Sequence, residues 1–515
     1  MGRAGGDGEC EAGVTTLAST ARDRIALIVA LLAFFAALAH FQFASPRLYD
    51  GDSYFHTRAA QQLAEHGVRR EFPQTAFSTW RDRYSDKDFL FHAALIPFVG
   101  ENAAIPGAKR ATLALDALVL AAFGFALARL RVRFAWAAVL LLAASEPWIW
   151  LHLVKVRPHL LGLALLLVEI VLVLEGRWKA LALVAAAHTL AHTSFLTLLA
   201  LPIAHAIASK LRGQAIPWRP AAGIALGIVA ASLLHPYFPN NLSIAFDQAI
   251  EVARSVAGTR PDVPPDVFGS ELMPMSLAGL LQLWPVWASA LAALLARWRT
   301  APPSVEALTL FGFSTALLLA CGLANRFAFF LVPVAVLATW RAASECFGGA
   351  RVGELLRTRA GAALAAALAL CIALGAARTL PALPARIAAA ASPAESLRPA
   401  IAFLDRRAQP SDVVYHNFWI PFAPLYYFRP DGTYIEGLDP IFLYRFDAEL
   451  FAKMLRVYRG EADDAHAIVS RDFGARFVFV QKSAPERAMA LGLARDARFR
   501  LVYNDAHALI FEVMR

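Results

Sequence analysis

The sequence predicts a polytopic α-helical membrane protein of about eleven spans, followed by a water-soluble α/β domain at its C-terminal end. Three observations carry this. Of 515 residues, 58% are hydrophobic and only 17% are charged, against about 25% charged in an average soluble protein. Long apolar runs recur through the first three quarters of the chain. Beyond residue 380 they give way to short β-rich runs separated by amphipathic stretches.

Residues 1–24 read as a cytoplasmic N-terminal tail, and 25–380 as the membrane domain. The first apolar segment, Arg24–Phe43, follows Arg22 and Arg24. Its ~20 residues suit an uncleaved span. A cleaved leader ending near Ala37-Leu38-Ala39 is the alternative. Further apolar runs sit near 110–130, 133–150, 158–175, 178–191, 193–209, 220–236, 275–296, 304–323, 325–343 and 361–379. The pair within 178–209 reads either as one long helix or as two, broken at His192-Thr193-Ser194.

With the N-terminus inside, the loops at 129–133, 176–179, 210–219, 297–299 and 341–359 fall in the cytoplasm, and all are basic. That agrees with the positive-inside rule. Three larger segments then share the outer face: loops 44–109 and 237–274, and the domain 381–515. The expected setting is an inner or plasma membrane, with that domain periplasmic or extracytoplasmic.

Asp412–Tyr415, Thr433–Ile435, Arg476–Val480, Arg500–Tyr503 and Ala508–Phe511 read as strands of the domain. Ala448–Arg459 and Pro485–Arg495 read as its helices. The formal charge is +9, but charges nearly cancel in 381–515, so the excess lies in short membrane loops. No Lys/Arg cluster interleaved with aromatics marks a nucleic-acid surface. None of the four cysteines has metal-ligand or disulfide-framework spacing.

Candidate chemistry gathers in the outer segments. Tyr49-Asp50-Gly51-Asp52-Ser53-Tyr54-Phe55-His56-Thr57-Arg58 places acids, an imidazole and a guanidinium just after the first span. A helix starting near Asp52 would set Asp52 and His56 on one face, with Asp52 also suited to cap it. Asp86 and Asp88 precede an apolar run. They suit either a divalent cation or a helix N-terminus. Lys155-Val156-Arg157-Pro158-His159 puts cations at a span's outer end, for a phosphate headgroup or for snorkelling. His188 and His192 suit helix–helix hydrogen bonds better than a metal. His235 ends a span. Glu271 precedes another. Arg326 lies between two apolar runs, where its planar fork suits phosphate.

In order and layout these positions resemble the GT-C superfamily of membrane glycosyltransferases, with the nearest look to oligosaccharyltransferase catalytic subunits. Asp52-Ser53-Tyr54-Phe55-His56-Thr57-Arg58 is similar to that family's acidic motif in the first external loop. Gly269-Ser270-Glu271-Leu272-Met273-Pro274 resembles its later glutamate segment. Asn325-Arg326-Phe327 resembles its lipid-phosphate arginine. Two departures stand out. Lys155–His159 occupies the place of the second acidic motif. Tyr415-His416-Asn417-Phe418-Trp419 stands where the family reads an asparagine sequon.

The resemblance implies inverting transfer of a sugar from a polyprenyl phosphate or pyrophosphate carrier to an acceptor of unspecified kind. Asp52 would be base or metal ligand, and Glu271 would complete a Mg²⁺ or Mn²⁺ site or position the acceptor. His56, Arg58, Arg157, His159, His235 and Arg326 would orient the acid or meet phosphate. Asp50, Asp86 and Asp88 are secondary candidates. Two other classes stay open: a transporter or flippase of lipid-linked saccharides, which would use acids such as Asp116 and Glu169 within spans, and an inactive scaffold.

Overall fold

The structure, a computed structural model, describes residues 21–100, 104–300, 302–347, 357–416, 418–482 and 487–514. Most of the expected N-terminal tail, with Cys10, lies outside the described residues, as does Asn417.

The first expected span is α1 (Ala21–Gln42). Loop 44–109 holds α2 (Gly51–His66), α3 (Trp80–Arg83), α4 (Phe89–Leu95) and the start of α5 (Ala104–Arg129). There follow α6 (Ala135–Ser145), α7 (Pro147–Leu153), α8 (His159–Leu174), α9 (Trp178–Ala191), α10 (Ala200–Leu211) and α11 (Trp218–Leu233). Every expected apolar run is helical. Among the described residues, five helical stretches are long and apolar enough to cross a membrane, or six if the bent pair α6–α7 is one span. Four shorter apolar helices accompany them: α8, α9, α11 and Val305–Cys321.

Local chemistry explains the short pieces. Pro147 forces Glu146 into an extended conformation, as a residue before proline prefers. The run 133–150 therefore bends by 94°. At 178–209 the helix breaks. His192 is extended at φ −167°, and Thr193–Leu199 winds on as a 3₁₀ turn.

Two apolar cores result. One binds the helices of the membrane part through residues such as Phe34, Phe123, Leu167, Phe313 and Leu337. The other joins loops 44–109 and 237–274 to the C-terminal domain through Phe55, Trp80, Tyr237, Val267, Phe422 and Phe477. Neighbouring residues of α2 enter different cores, Tyr54 the first and Phe55 the second. This helix therefore stands at the boundary.

The domain carries one five-stranded sheet of β1 (Val413–His416), β2 (Thr433–Tyr434), β3 (Ala475–Gln481), β4 (Phe499–Asn504) and β5 (Ala508–Val513), in the order β2-β1-β3-β5-β4. Strands β2, β1 and β3 are parallel, and β5 is antiparallel to both its neighbours. Loop 44–109 extends this sheet past β2. Tyr434 N–H donates to the Gln74 carbonyl at 2.7 Å, and Ala76 N–H to that of Tyr434 at 2.8 Å. The backbone groups of a sheet edge are thereby paired from a distant part of the chain. Helices Ala448–Arg459 and Arg487–Arg495 pack around the sheet. The preceding helix, Arg359–Ala390, runs unbroken across residue 380.

Candidate active site

Where the cores meet, α2 begins. Asp50, not Asp52, is its N-cap, and accepts Ser53 N–H at 2.8 Å. The cap carboxylate satisfies a helix-end amide, which leaves Asp52 free for other partners. Ser53 Oγ donates to Asp50 and accepts Val156 N–H at 3.1 Å. The first turn of α2 is thus tied to the loop between α7 and α8.

That loop delivers Arg157. Its Nε donates to Asp50 at 2.6 Å, and its Nη1 lies 2.9 Å from Asp52 and 3.6 Å from Glu271. Lys155 Nζ is 3.9 Å from Asp50. Three carboxylates, two from the start of α2 and one from the loop at 271, therefore surround one guanidinium. The site is open to solvent, since the side chains of Asp52 and Glu271 keep 25% and 42% of their accessibility. Burial opposes ionisation of Asp50, yet Arg157, Lys155 and Ser53 outweigh it and hold that carboxyl low. At Asp52 burial wins. Together with the neighbouring acids Asp50 and Glu271 it raises the carboxyl despite Arg157. For Glu271 burial is again opposed, and Arg157, Arg326 and Lys155 keep the carboxyl low.

Glu271 is held by a backbone zipper. Asn325 N–H donates to the Met273 carbonyl at 2.8 Å, and Met275 N–H to that of Cys321 at 2.9 Å. This brings the Glu271 loop beside the 3₁₀ turn Asn325–Phe327 that carries Arg326. From the C-terminal domain, Trp419 Nε1 donates to the Val267 carbonyl at 2.9 Å and braces the same loop. Arg326 Nη2 donates to Thr193 Oγ1 at 3.1 Å. Neither Arg326 nor Lys87 has a carboxylate within ion-pair distance among the described residues. Both nevertheless bear on buried Asp88, where burial raises the carboxyl and Lys87 lowers it most among the neighbours.

The remaining candidates divide. His56 bonds through Nδ1 to His92 Nε2 at 2.8 Å, and His92 Nδ1 to Asp86 at 2.7 Å. Asp86 thus serves a histidine. His159 opens α8, its Nε2 donating to the His152 carbonyl at 3.0 Å and its ring against Phe329. His235 is buried beside Phe89 and Tyr237, with Nδ1 accepting Tyr237 N–H. Arg58 pairs with Glu65 further along α2, at 3.2 Å. His188 of α9 bonds Glu169 of α8 at 2.8 Å, the helix–helix hydrogen bond expected of it, whereas His192, at the end of α9, bonds Ser194 two residues on.

A divalent cation seeks about six oxygen ligands. At Asp52 and Glu271 its place is taken by Arg157 Nη1, and no group of three or more potential ligands converges among the described residues. The residues as arranged do not fit Mg²⁺ or Mn²⁺.

Lys87, His92 and Thr193 were missed as site residues, and Lys155 was read only as part of a basic motif. Lys87, between two buried acids, and His92, four residues after Asp88, were visible in the sequence. Nothing in it pointed to Thr193.

No protein-family model and no curated protein matches the chain. Solved structures do. ArnT from Cupriavidus metallidurans in the apo state matches with TM-score 0.54 and 14% identity, covering 95% of this chain and 98% of that one. The same protein bound to undecaprenyl phosphate matches with TM-score 0.52 and 14% identity, covering 94% and 97%. The chain thus shares the fold of these ArnT structures, and the narrower likeness to oligosaccharyltransferases gains no support from them.

Proposed function

We propose that this protein is a membrane glycosyltransferase that moves a sugar, with inversion, from a polyprenyl phosphate or pyrophosphate carrier to an acceptor at the outer membrane face. The observation that supports it best is the convergence of Asp52 and Glu271 on Arg157, with Arg326 held beside the Glu271 loop. The ArnT fold, one example of which holds undecaprenyl phosphate, points the same way.

As the sugar leaves its carrier, negative charge grows on the departing phosphate. Preorganised cations stabilise that charge better than water does, because they need no reorganisation as it develops. Lys87 and Arg326 are cations without a carboxylate partner among the described residues, and arginine matches phosphate with two parallel N–H donors. Arg157 has a different task. It neutralises Asp50, Asp52 and Glu271 and holds them within one cleft. Asp52, its carboxyl raised by burial, receives the hydrogen bond of the attacking acceptor group, and a proton acceptor with a raised pKa suits work near neutrality. Glu271 orients the acceptor from the opposite wall. Attack on the face away from the phosphate gives inversion.

The test is transfer from radiolabelled polyprenyl-linked sugars to candidate acceptors by the purified protein, with and without EDTA. Transfer should persist in EDTA, and Asp52→Asn should lower it about 100-fold or more while the protein stays folded. Full activity of Asp52→Asn removes that residue from the mechanism. Absence of transfer to every acceptor ends the reading.

A further inference from the structure

Three titratable groups lie buried in a row beside the cleft without a purpose in the scheme above. Asp86, His92 and His56 are all under 7% exposed. Hydrogen bonds of 2.7 Å and 2.8 Å link them in that order. Packing alone would be served as well by apolar side chains, since buried polar networks are costly unless fully satisfied.

The chain has a direction. Asp86 Oδ1 accepts Asp88 N–H at 3.0 Å, so the backbone fixes this carboxylate as an acceptor. Its Oδ2 faces His92 Nδ1, which places a proton on that nitrogen. A neutral His92 then offers a bare Nε2, and His56 donates to it from Nδ1. What one ring nitrogen bonds to sets the role of the other. His56 is left with an unprotonated Nε2. One turn of α2 separates it from Asp52, so the two share a helix face.

We propose that Asp86, His92 and His56 form a proton relay serving the sugar-transfer cleft, with His56 Nε2 as its terminal acceptor. The inference rests on the transferase reading. In the step, the acceptor oxygen forms a bond to the sugar's anomeric carbon while the bond from that carbon to the carrier phosphate oxygen breaks. The acceptor's hydroxyl proton passes by way of the Asp52 carboxylate, one turn back on α2, to His56 Nε2, and the Nδ1 proton of His56 passes to His92 Nε2. His92 then carries protons on both nitrogens, against the Asp86 carboxylate. It returns the extra proton along the same path to the departing phosphate or to water.

The electrostatics agree. Burial lowers the basicity of His56, and His92, Arg157 and Lys87 lower it further, with only Asp50 opposing. At His92 burial is outweighed by Asp86, with Asp88 assisting and Lys87 opposing, and the ring is made more basic. A proton received at His56 therefore has a downhill destination. Asp86 and His92 are positioning residues acting through His56.

Two measurements test this in the full-length protein reconstituted in nanodiscs. The first is the ¹⁵N spectrum of histidine-labelled protein, with His56 and His92 assigned through His56→Gln and His92→Gln. The relay requires a protonated Nδ1 and bare Nε2 on both rings, and Asp86→Asn should disturb both. A protonated His56 Nε2 in the wild type overturns the proposal. The second is transfer from radiolabelled polyprenyl-linked sugar. In His92→Gln, the glutamine oxygen still accepts from His56 but cannot take the proton. Its kcat should fall about 100-fold, with KM for the carrier within about twofold of wild type. Unchanged kcat in His92→Gln while the wild type is active refutes the relay and leaves the transferase reading intact. A wild type that transfers to no acceptor, with the tautomers as stated, ends the transferase reading and the relay's purpose with it.

Discussion

Two buried histidine chains flank the cleft, and they run in opposite senses. On the loop side, Asp86 faces His92, which faces His56. On the membrane side, Glu169 bonds His188 Nδ1 at 2.8 Å, and His188 Nε2 bonds Ser194 Oγ at 2.7 Å. Ser194 Oγ in turn lies 2.8 Å from His192 Nδ1. There the last ring is fixed by the backbone, since Ser194 N–H donates to His192 Nδ1 at 3.1 Å. A neutral His192 must then carry its hydrogen on Nε2. The first chain ends in an acceptor and the second in a donor. Residue type does not decide whether a buried histidine takes a proton or offers one. The partner of its other nitrogen does. Gly162 lets the second chain pack closely, as a Cβ there would stand 2.7 Å from Ser194 Oγ.

The sharpest way to break the comparison is to remove each terminal acid. Asp86→Ala strips an acceptor from both Asp88 N–H and His92, and should cost about 3–5 kcal/mol, the cost of breaking a buried pair. Glu169→Ala strips one partner and should cost about 1–3 kcal/mol. Thermal melting of the two variants in detergent ranks them, and equal losses would mean that the chains are equivalent.

Glu436 is a buried carboxyl with no histidine. Both of its oxygens lack a partner among the described residues. Burial, with help from Asp439, pushes it up to about 8 from an ordinary value of 4.5. The folded state therefore binds more protons than the unfolded one between those values. Its relative contribution to stability is complete below about pH 4.5, declines as pH rises, and is gone by about 8, at up to about 1.4 kcal/mol per pH unit. Glu436→Gln should flatten melting temperature against pH across that window. An unchanged slope assigns the dependence to another group.

Arg326 joins the membrane-side chain to the cleft through Thr193. Arg326→Ala should weaken binding of polyprenyl phosphate by about tenfold or more, the loss of one or two charge-assisted hydrogen bonds. Unaltered affinity in a lipid-binding titration removes its phosphate role. The smallest effect is expected at Arg58, which pairs with Glu65 away from the cleft. Arg58→Ala should change stability by under about 1 kcal/mol and leave transfer intact. A large loss of transfer would bring it back into the site.

Much of this architecture was legible in the sequence. The apolar runs became helices, and the five strand segments of the tail became the five strands of one sheet. Asp52, Glu271, Arg157 and Arg326 were candidates on residue chemistry and family resemblance; Asp52 and Glu271 meet at Arg157, and Arg326 stands on the turn beside the Glu271 loop. The assignment of Asp52 as cap failed because Asp50, two residues earlier, has the extended backbone that the cap requires. Asp86 looked like a cation ligand or a helix cap and instead anchors a histidine. Its partner, His92, lies six residues on, beyond any spacing rule for a helix face.

By itself the sequence determined where the chain is apolar, where it alternates, and which charged groups stand at span ends. Those features follow from hydrophobic periodicity and from proline and capping chemistry, which act over a few residues. Only the tertiary structure decided that one guanidinium would gather three acids, that a loop near residue 75 would extend a sheet made more than 300 residues later, and which way each histidine chain runs. Such choices depend on which distant groups share a desolvated space, and a one-dimensional pattern carries no distances between them.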